Sequence, residues 1–418
     1  MSFDAVAGPQ PLLTLFAPLQ ASRTPDGMLR MDERFVAGMT LHAQNWPGPV
    51  VAVLRDGGGA ERPRTRSYHP DRLAFSVRLL PPHIPLEEAL ESQPGVVMAA
   101  ADALDHLPLV DAARRRGLGV VLGVDRTLDS RLQAQMGARG LLRRLWGIGS
   151  NLRDERRRKR ALRDADGVQM NGYPVSQEYR GLNGNSIRFL DNRLGPQMLA
   201  TGAGMARRRA ALAQGGPLRL VHSGRLEAGL GARRLVPLAA ALRDAGLSFT
   251  LVIEGGGALL PAMRHQVAQL GLQDCVELAG PLDFAGALVP LLRERADLLV
   301  SCRTLAEPSD IFLEAMGCGL PVLGFDNAML APLIRDSAGG WTVPQRDIGA
   351  MAHRIMLLDR DRDRIAEAAQ SALDYARRHD FETEFRLRAE HLREVFLRTR
   401  DERFVPGEWL RPHGRAGS

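Results

Sequence analysis

The run Glu307-Pro308-Ser309-Asp310-Ile311-Phe312-Leu313-Glu314-Ala315-Met316-Gly317-Cys318-Gly319-Leu320-Pro321-Val322 decides how this chain folds. Two carboxylates bracket one short segment. Pro308 and Ser309 suit the start of a helix. Gly-Cys-Gly-Leu-Pro-Val stops that helix and feeds a buried strand. The apolar run 296–300 just before it reads as another strand. The order is therefore strand, loop, helix, tight turn, strand. In an open parallel sheet, ligands sit beyond the carboxyl ends of the strands. Glu307 falls at such a tip, and Glu314 lies about two turns into the helix. A helix N-terminus offers free N–H groups to an anion, and carboxylates accept hydrogen bonds from sugar hydroxyls.

Working outward, short apolar runs alternate with helical patterns. Segments 12–16, 50–54, 96–100, 120–124 and 168–170 read as strands, with a helix over 107–116. Further on, 218–222, 250–253, 275–278, 298–300 and 322–325 read as strands, separated by helices over 232–245, 259–270, 288–294 and 311–317. This alternation predicts the α/β class, with parallel sheets covered by helices on both faces. The stretch 196–216 is rich in Ala, Gly and Arg and reads as a linker with a short helix, hinged near Gly215-Gly216-Pro217. It would separate a first domain, 1–195, from a second, 217–385, with a helix and tail over 386–418.

The segment 307–322 resembles the retaining GT-B glycosyltransferases of the group 1 type, in their bacterial exopolysaccharide (colanic-acid-like) branch. The resemblance is strongest over 218–359. It implies two doubly wound, Rossmann-like domains facing across a cleft, with the nucleotide-sugar in the second and the acceptor on the first. It implies that Glu307 handles the donor sugar and Glu314 the ribose. The spacing between these two carboxylates is one residue shorter than the family's, so Glu307 stands one place late. In this family the chain supplies no obvious nucleophile. Attack comes from the face the diphosphate leaves, and a donor phosphate helps to take the acceptor proton. The protein then works by positioning and charge stabilisation. A helical tail crossing back onto the first domain is also implied.

Other strand tips carry further candidates. Gly224-Arg225-Leu226 ends a strand where glycine permits close approach and a guanidinium can grip a diphosphate with a fork of donors. The family shares this Gly-Arg-Leu and places a Lys shortly after it. Here that position is Leu230, before Gly231, so Arg233 or Arg234 is the nearest cation that could substitute. Glu254-Gly255-Gly256-Gly257 and Gly280-Pro281-Leu282 are turns at strand ends. The resemblance sets Gly255 beside the nucleotide and the backbone at Leu282 beside the base. With Ser309, Asp310 and Ile311 at the helix start, these complete the expected donor site. On the first domain, Asp105, His106, Asp125 and Arg126 stand at strand tips as acceptor-side candidates, His106 or Asp105 to orient a hydroxyl. A histidine or a glycine turn at such a place is as readily structural.

Composition sets the outer limits. At 418 residues, 45% hydrophobic and 25% charged, the chain has the make-up of a globular protein large enough for two domains. A net charge of +7 and a pI near 10.1 predict an anionic partner. The segment 139–163 holds ten basic and two acidic residues, interleaved with Leu and Trp. It suits an anionic membrane surface, or equally a solvated surface helix. Nucleic acid is not expected, because aromatic residues are 5% and no recognition module is present. No export signal or membrane-spanning run is read, and the three cysteines are widely spaced, which fits a cytoplasmic protein, peripheral on the inner membrane face if 139–163 binds lipid. Scattered histidines give no metal pattern, so neither metal nor cofactor is expected beyond the nucleotide-sugar substrate. No serine-hydrolase elbow or P-loop occurs. The expected activity is glycosyl transfer from a nucleotide-sugar to a saccharide or lipid-linked saccharide. The alternatives are a weakened GT-B scaffold that binds nucleotide without turnover, suggested by Leu230, and a sugar-nucleotide epimerase, against which the 307–322 run speaks.

Overall fold

The computed structural model describes residues 10–57, 65–136, 141–305 and 307–400. The first residues, the 139–140 end of the basic stretch and the tail beyond 400 lie outside them. By contacts the chain divides into two units. The first gathers Met1–Asn171, Val175–Phe189 and Glu384–Ser418; the second gathers Gly172–Pro174 and Leu190–Thr383.

The first unit contains β1 (Leu12–Arg23), β2 (Leu29–Asp32), α1 (Glu33–Asn45), β3 (Val50–Asp56), β4 (Thr65–Tyr68), β5 (Ser76–Leu80), β6 (Gly95–Ala100), α2 (Leu109–Arg114), β7 (Gly119–Val124), α3 (Leu128–Met136), α4 (Leu141–Asp164), β8 (Gly167–Asn171), the greater part of α5 (Gly172–Glu178) and β9 (Ser186–Phe189). Its parallel strands run in the order β5-β3-β1-β6-β7-β8-β9, while β2 and β4 add antiparallel beyond the far end of β1. Along β6, Val97 and Ala99 enter one core while Val96 and Met98 enter the other. That period of two is what a sheet covered on both faces requires. The C-terminal helix returns to this unit, with Leu392, Val395 and Phe396 packed among residues of β1, β3 and β6.

The second unit holds α6 (Gly202–Gln214), β10 (Leu218–Ser223), α7 (Leu235–Asp244), β11 (Phe249–Glu254), α8 (Leu260–Gln269), β12 (Val276–Gly280), α9 (Val289–Glu294), β13 (Leu298–Ser301), α10 (Asp310–Gly317), β14 (Val322–Phe325), α11 (Leu330–Ser337), β15 (Gly340–Val343), α12 (Ile348–Arg360) and α13 (Asp363–Ala376); α14 (Phe381–Arg400) follows and passes to the first unit from Glu384. All six strands are parallel, in the order β12-β11-β10-β13-β14-β15. Counted within the unit, that is 3-2-1-4-5-6, the Rossmann order, whose ligand crevice lies where the order reverses. Leu220 and Val300 face one core, and Val221 and Leu299 the other.

The segment 196–216, expected as a linker, lies within the second unit instead. Its helix α6 buries Arg208, whose guanidinium donates to the main-chain carbonyls of Leu292 (2.9 Å), Arg293 (2.8 Å), Cys318 (3.0 Å) and Gly319. Those bonds fill carbonyls left open at the ends of α9 and α10, which fastens α6 to the unit. After a brief excursion at Gly172–Pro174, the chain passes to the second unit at 189–190 and back to the first at 383–384.

Candidate functional site

The reversal point of the second sheet falls between β10 and β13, which pair through Leu220 with Leu298 and Val221 with Leu299. Each strand ends in a serine, and each places an arginine two residues further on: Ser223 then Arg225, Ser301 then Arg303. Arg225 is exposed and forms no ion pair among the described residues. Arg303 is mostly covered, with 15% of its side chain exposed. Burial lowers its pKa; Glu307 and Asp310 oppose that shift, and the charge of Arg225 adds to it. The nearest carboxylate oxygen, on Glu307, is 3.8 Å away, beyond the 2.7–2.9 Å range of a charge-assisted hydrogen bond. Below them, His222 is driven down to a pKa of about 4 by burial and is neutral, with Nδ1 3.0 Å from the Val300 carbonyl oxygen.

The glycine turns are built for close packing of backbone. Gly255 sits at φ 128°, and a Cβ there would stand 1.9 Å from the Gly224 carbonyl oxygen. Gly224 and Gly255 therefore pack against each other. The Gly224 N–H donates to the Glu254 carbonyl (3.2 Å) and the Gly255 N–H to the Gly280 carbonyl (3.0 Å). Glu254 is buried and accepts from Ser223 Oγ at 2.5 Å and from the Leu282 N–H at 3.2 Å. The main-chain donor at Leu282 thus already serves this carboxylate. Leu230 is buried, 7% exposed, while Arg233 is exposed and Arg234 half-buried.

Helix α10 forms where Ser309, in extended backbone, precedes Asp310, an acidic first-turn residue that complements the helix dipole. Residues Ile311 through Gly317 are all buried, so the helix is core on every side. It closes with the Gly319 N–H bonded to the Met316 carbonyl and the Leu320 N–H to that of Ala315, a Schellman stop. The Ile311 side chain belongs to the core, and its N–H takes Asp310 Oδ1 at 3.1 Å. Ser309 Oγ is buried with no hydrogen-bond partner among the described residues. Glu314 is fully buried. Arg193 clamps it, Nε to Oε1 at 2.7 Å and a terminal nitrogen to Oε2 at 2.8 Å, with the guanidinium stacked 3.8 Å from the Phe284 ring centroid. Both oxygens of that carboxylate are thus committed to Arg193.

In the first unit the candidate residues have unequal standing. His106 is buried, and its Nδ1 accepts the Ala100 N–H at 3.1 Å. Burial lowers its pKa, outweighing the opposite pull of Asp105, so the ring is neutral and tied to the end of β6. Asp105 is exposed and pairs with Arg55 at 3.3 Å. Asp125 and Arg126 are exposed on the loop after β7. The Arg126 carbonyl accepts from Arg131 at 2.6 Å, and the Asp125 N–H donates to Asp102 at 2.7 Å.

Sequence reasoning did not single out Arg303, Arg193 or Glu254. Arg303 had a readable signal, the same two-residue offset from its strand as Arg225. Arg193 had none, since it lies 121 positions from the carboxylate it clamps.

Two doubly wound units, the second with Rossmann strand order, define a GT-B fold. Solved structures agree on this. The Anabaena protein Alr3699/HepE, solved in complex with UDP, superposes with a TM-score of 0.64 at 15% identity, covering 92% of this chain and 99% of that one. Sucrose-phosphate synthase from Thermosynechococcus elongatus gives 0.64 at 16%, covering 93% and 100%. At such identities the likeness is one of fold. Within it, residues 206–378, inside the second unit, match the family described as Glycosyl transferases group 1. Two curated relatives align over the same scale of length. Amylovoran biosynthesis glycosyltransferase AmsK of Erwinia amylovora is 29% identical over 177 residues, 40% of this chain and 41% of the relative. Putative colanic acid biosynthesis glycosyltransferase WcaL of Escherichia coli (strain K12) is 26% identical over 174 residues, 40% and 42%. The match spans about two fifths of each relative's length.

Proposed function

We propose that this chain is a retaining glycosyltransferase that moves a sugar from a nucleotide-sugar donor to a saccharide or lipid-linked saccharide acceptor in bacterial polysaccharide biosynthesis. The observation that carries this reading is the strand-order reversal of the second unit, with Arg225 at the tip of β10 and Glu307 between β13 and α10. The group 1 domain over 206–378 and the names of the relatives support it. In this reading Arg225 holds the diphosphate, Glu307 accepts hydrogen bonds from the donor sugar, and Glu314 meets the ribose after Arg193 swings aside. Gly224, Gly255 and the α10 start, Ser309 to Ile311, shape the rest of the donor site, with the base near Leu282. No resident cofactor takes part. Attack on the face the diphosphate leaves needs positioning and neutralisation of charge rather than a protein nucleophile. On the acceptor side, Asp105, Asp125 and Arg126 are the exposed groups. His106 is not assigned to the chemistry, because its Nδ1 is committed to the main chain.

The test is turnover of a panel of nucleotide-sugars, read as release of nucleoside diphosphate. Slow hydrolysis with at least one donor is expected, and faster release with a lipid-linked saccharide present. Binding of nucleoside diphosphate without any release supports the second reading, a scaffold without turnover. The buried apolar Leu230 and the clamped Glu314 favour that alternative. We also assign the outer face of α4 to an anionic membrane surface, which would hold the protein at the cytoplasmic side of the bilayer. No described helix is long and apolar enough to cross a membrane.

A further inference from the structure

We propose that Arg303 is the second cation of the diphosphate site, and that an incoming diphosphate takes Arg303 from Glu307 and so releases Glu307 for the sugar. The inference rests on the glycosyltransferase reading and adds to it a residue and an exchange.

Arg303 has an unusual place among the covered arginines of its unit. Arg208 spends its donors on main-chain carbonyls. Arg219 is doubly bonded to Asp297, and Arg193 to Glu314. Arg303, by contrast, has no side-chain hydrogen bond among the described residues, and its nearest ion partner is at 3.8 Å. A mostly buried cation without close partners is costly. Such a group is kept where something else completes it. Its backbone is well fixed: its carbonyl accepts from Asn327 at 3.2 Å, and the turn after Arg225 lies directly against its root. Gly231, at φ 86°, would bring a Cβ within 1.8 Å of the Cys302 carbonyl oxygen and 3.2 Å of the Arg303 nitrogen. The loop from Arg225 to Gly231 therefore rests on the start of the Arg303 loop, and the side chain it buries beside that contact is the uncharged Leu230.

Arg225 and Arg303 consequently stand two residues beyond the ends of the two strands that flank the reversal point, with the charge of Arg225 felt at Arg303. Two like charges held at one crevice call for an anion carrying more than one negative charge. A diphosphate fits that need and the crevice's usual use, and guanidinium forks bind phosphate oxygens in pairs. Before the ligand arrives, Glu307 is the counter-ion at long range. Once phosphate oxygens take the Arg303 donors, the Glu307 carboxylate is left with its lone pairs free for hydroxyls. No bond is made or broken in this exchange; ion pairs change partner.

The experiment is calorimetric titration of the full chain with UDP, GDP and ADP, at two salt concentrations, for the natural protein and for Arg303→Gln, Glu307→Gln and Arg303→Gln with Leu230→Lys. The nucleotide that binds the natural protein best should lose at least tenfold in affinity with Arg303→Gln and show a weaker salt dependence. Glu307→Gln should bind severalfold tighter, because the competing counter-ion is gone. Lysine at position 230 in the Arg303→Gln background should recover most of the loss, which a merely structural role of Arg303 would not allow. Equal affinity of Arg303→Gln and the natural protein overturns the assignment while leaving the function intact. If Arg303→Gln does not fold, Glu307→Gln alone decides, and unchanged or weaker binding overturns it. Absence of binding by the natural protein to all three nucleotides overturns both this inference and the function on which it rests.

Discussion

Glu314 has been taken wholly out of water, and one guanidinium makes that tolerable. A bidentate Arg–carboxylate pair with both nitrogens at 2.7–2.8 Å is near the best geometry such a pair can adopt. Stacking on Phe284 supplies the cation with a second contact. The net stabilisation of a buried pair is small, but removing one member leaves the other as an unpaired charge. Arg193→Ala should therefore destabilise the chain by about 3 kcal/mol, whereas Glu314→Gln, which removes the buried charge itself, should cost less. Urea unfolding of the two variants is the check; an Arg193→Ala protein as stable as the natural one would contradict the clamp. The run 307–322 put Glu314 about two turns into a helix, and the family resemblance marked it for a ribose. The partner that governs its accessibility could not be read, because helical and strand periodicities report neighbours within one element and Arg193 comes from a distant loop.

At the scale of single elements, α4 shows how one helix divides its charge. Its inner side is tied into a buried network: Arg131 meets Asp102 at 2.8 Å, Glu155 at 2.6 Å and the Tyr179 hydroxyl at 2.6 Å, and Arg158 meets Glu155 at 2.9 Å. Its outer side leaves Arg153, Arg156, Arg157, Arg160 and Arg163 exposed, C-terminal to the exposed Ile148 (38% exposed) and Leu152 (45% exposed) on the same helix. A basic face with two protruding aliphatic side chains matches an anionic bilayer in both charge and apolar content. Co-flotation with vesicles should thus require anionic lipid and fall with salt. Reversing Arg153, Arg156 and Arg160 to Glu should weaken binding at least 100-fold, at about 1 kcal/mol per basic residue near the surface. Equal recovery on neutral vesicles, or none of the salt dependence, would leave α4 as an ordinary solvated helix. The elements themselves were legible where they are buried. The strands that announce themselves as apolar runs are β1, β3, β6 to β8 and β10 to β14, all but the edge strand β12 in sheet interiors. The strands that escaped are β2, β4, β5, β9 and β15, which sit at or near sheet edges and carry residues such as Arg66, Arg78 and Arg188. Edge strands face solvent on one side and are kept polar, so they lose the signal on which a strand is recognised.

For the whole molecule, two doubly wound units follow from the alternation of short apolar runs with helices, and α14 passes to the first unit from Glu384. The position of the crossing was harder to read. The Ala, Gly and Arg of 196–216 read as a linker with a short helix, yet Arg208 fastens that helix to the second unit by filling carbonyls of α9 and of the turn after α10. The consequence for function is that the second unit, from Leu190 to Thr383, contains every residue proposed for the donor, including Arg193. The most direct measurement of that claim is a structure of the protein soaked with the nucleoside diphosphate it binds best. The account predicts phosphate oxygens within hydrogen-bond distance of both Arg225 and Arg303 at the β10–β13 reversal, with Glu307 no longer facing Arg303. A nucleotide bound elsewhere, or one whose phosphates meet neither arginine, would contradict it.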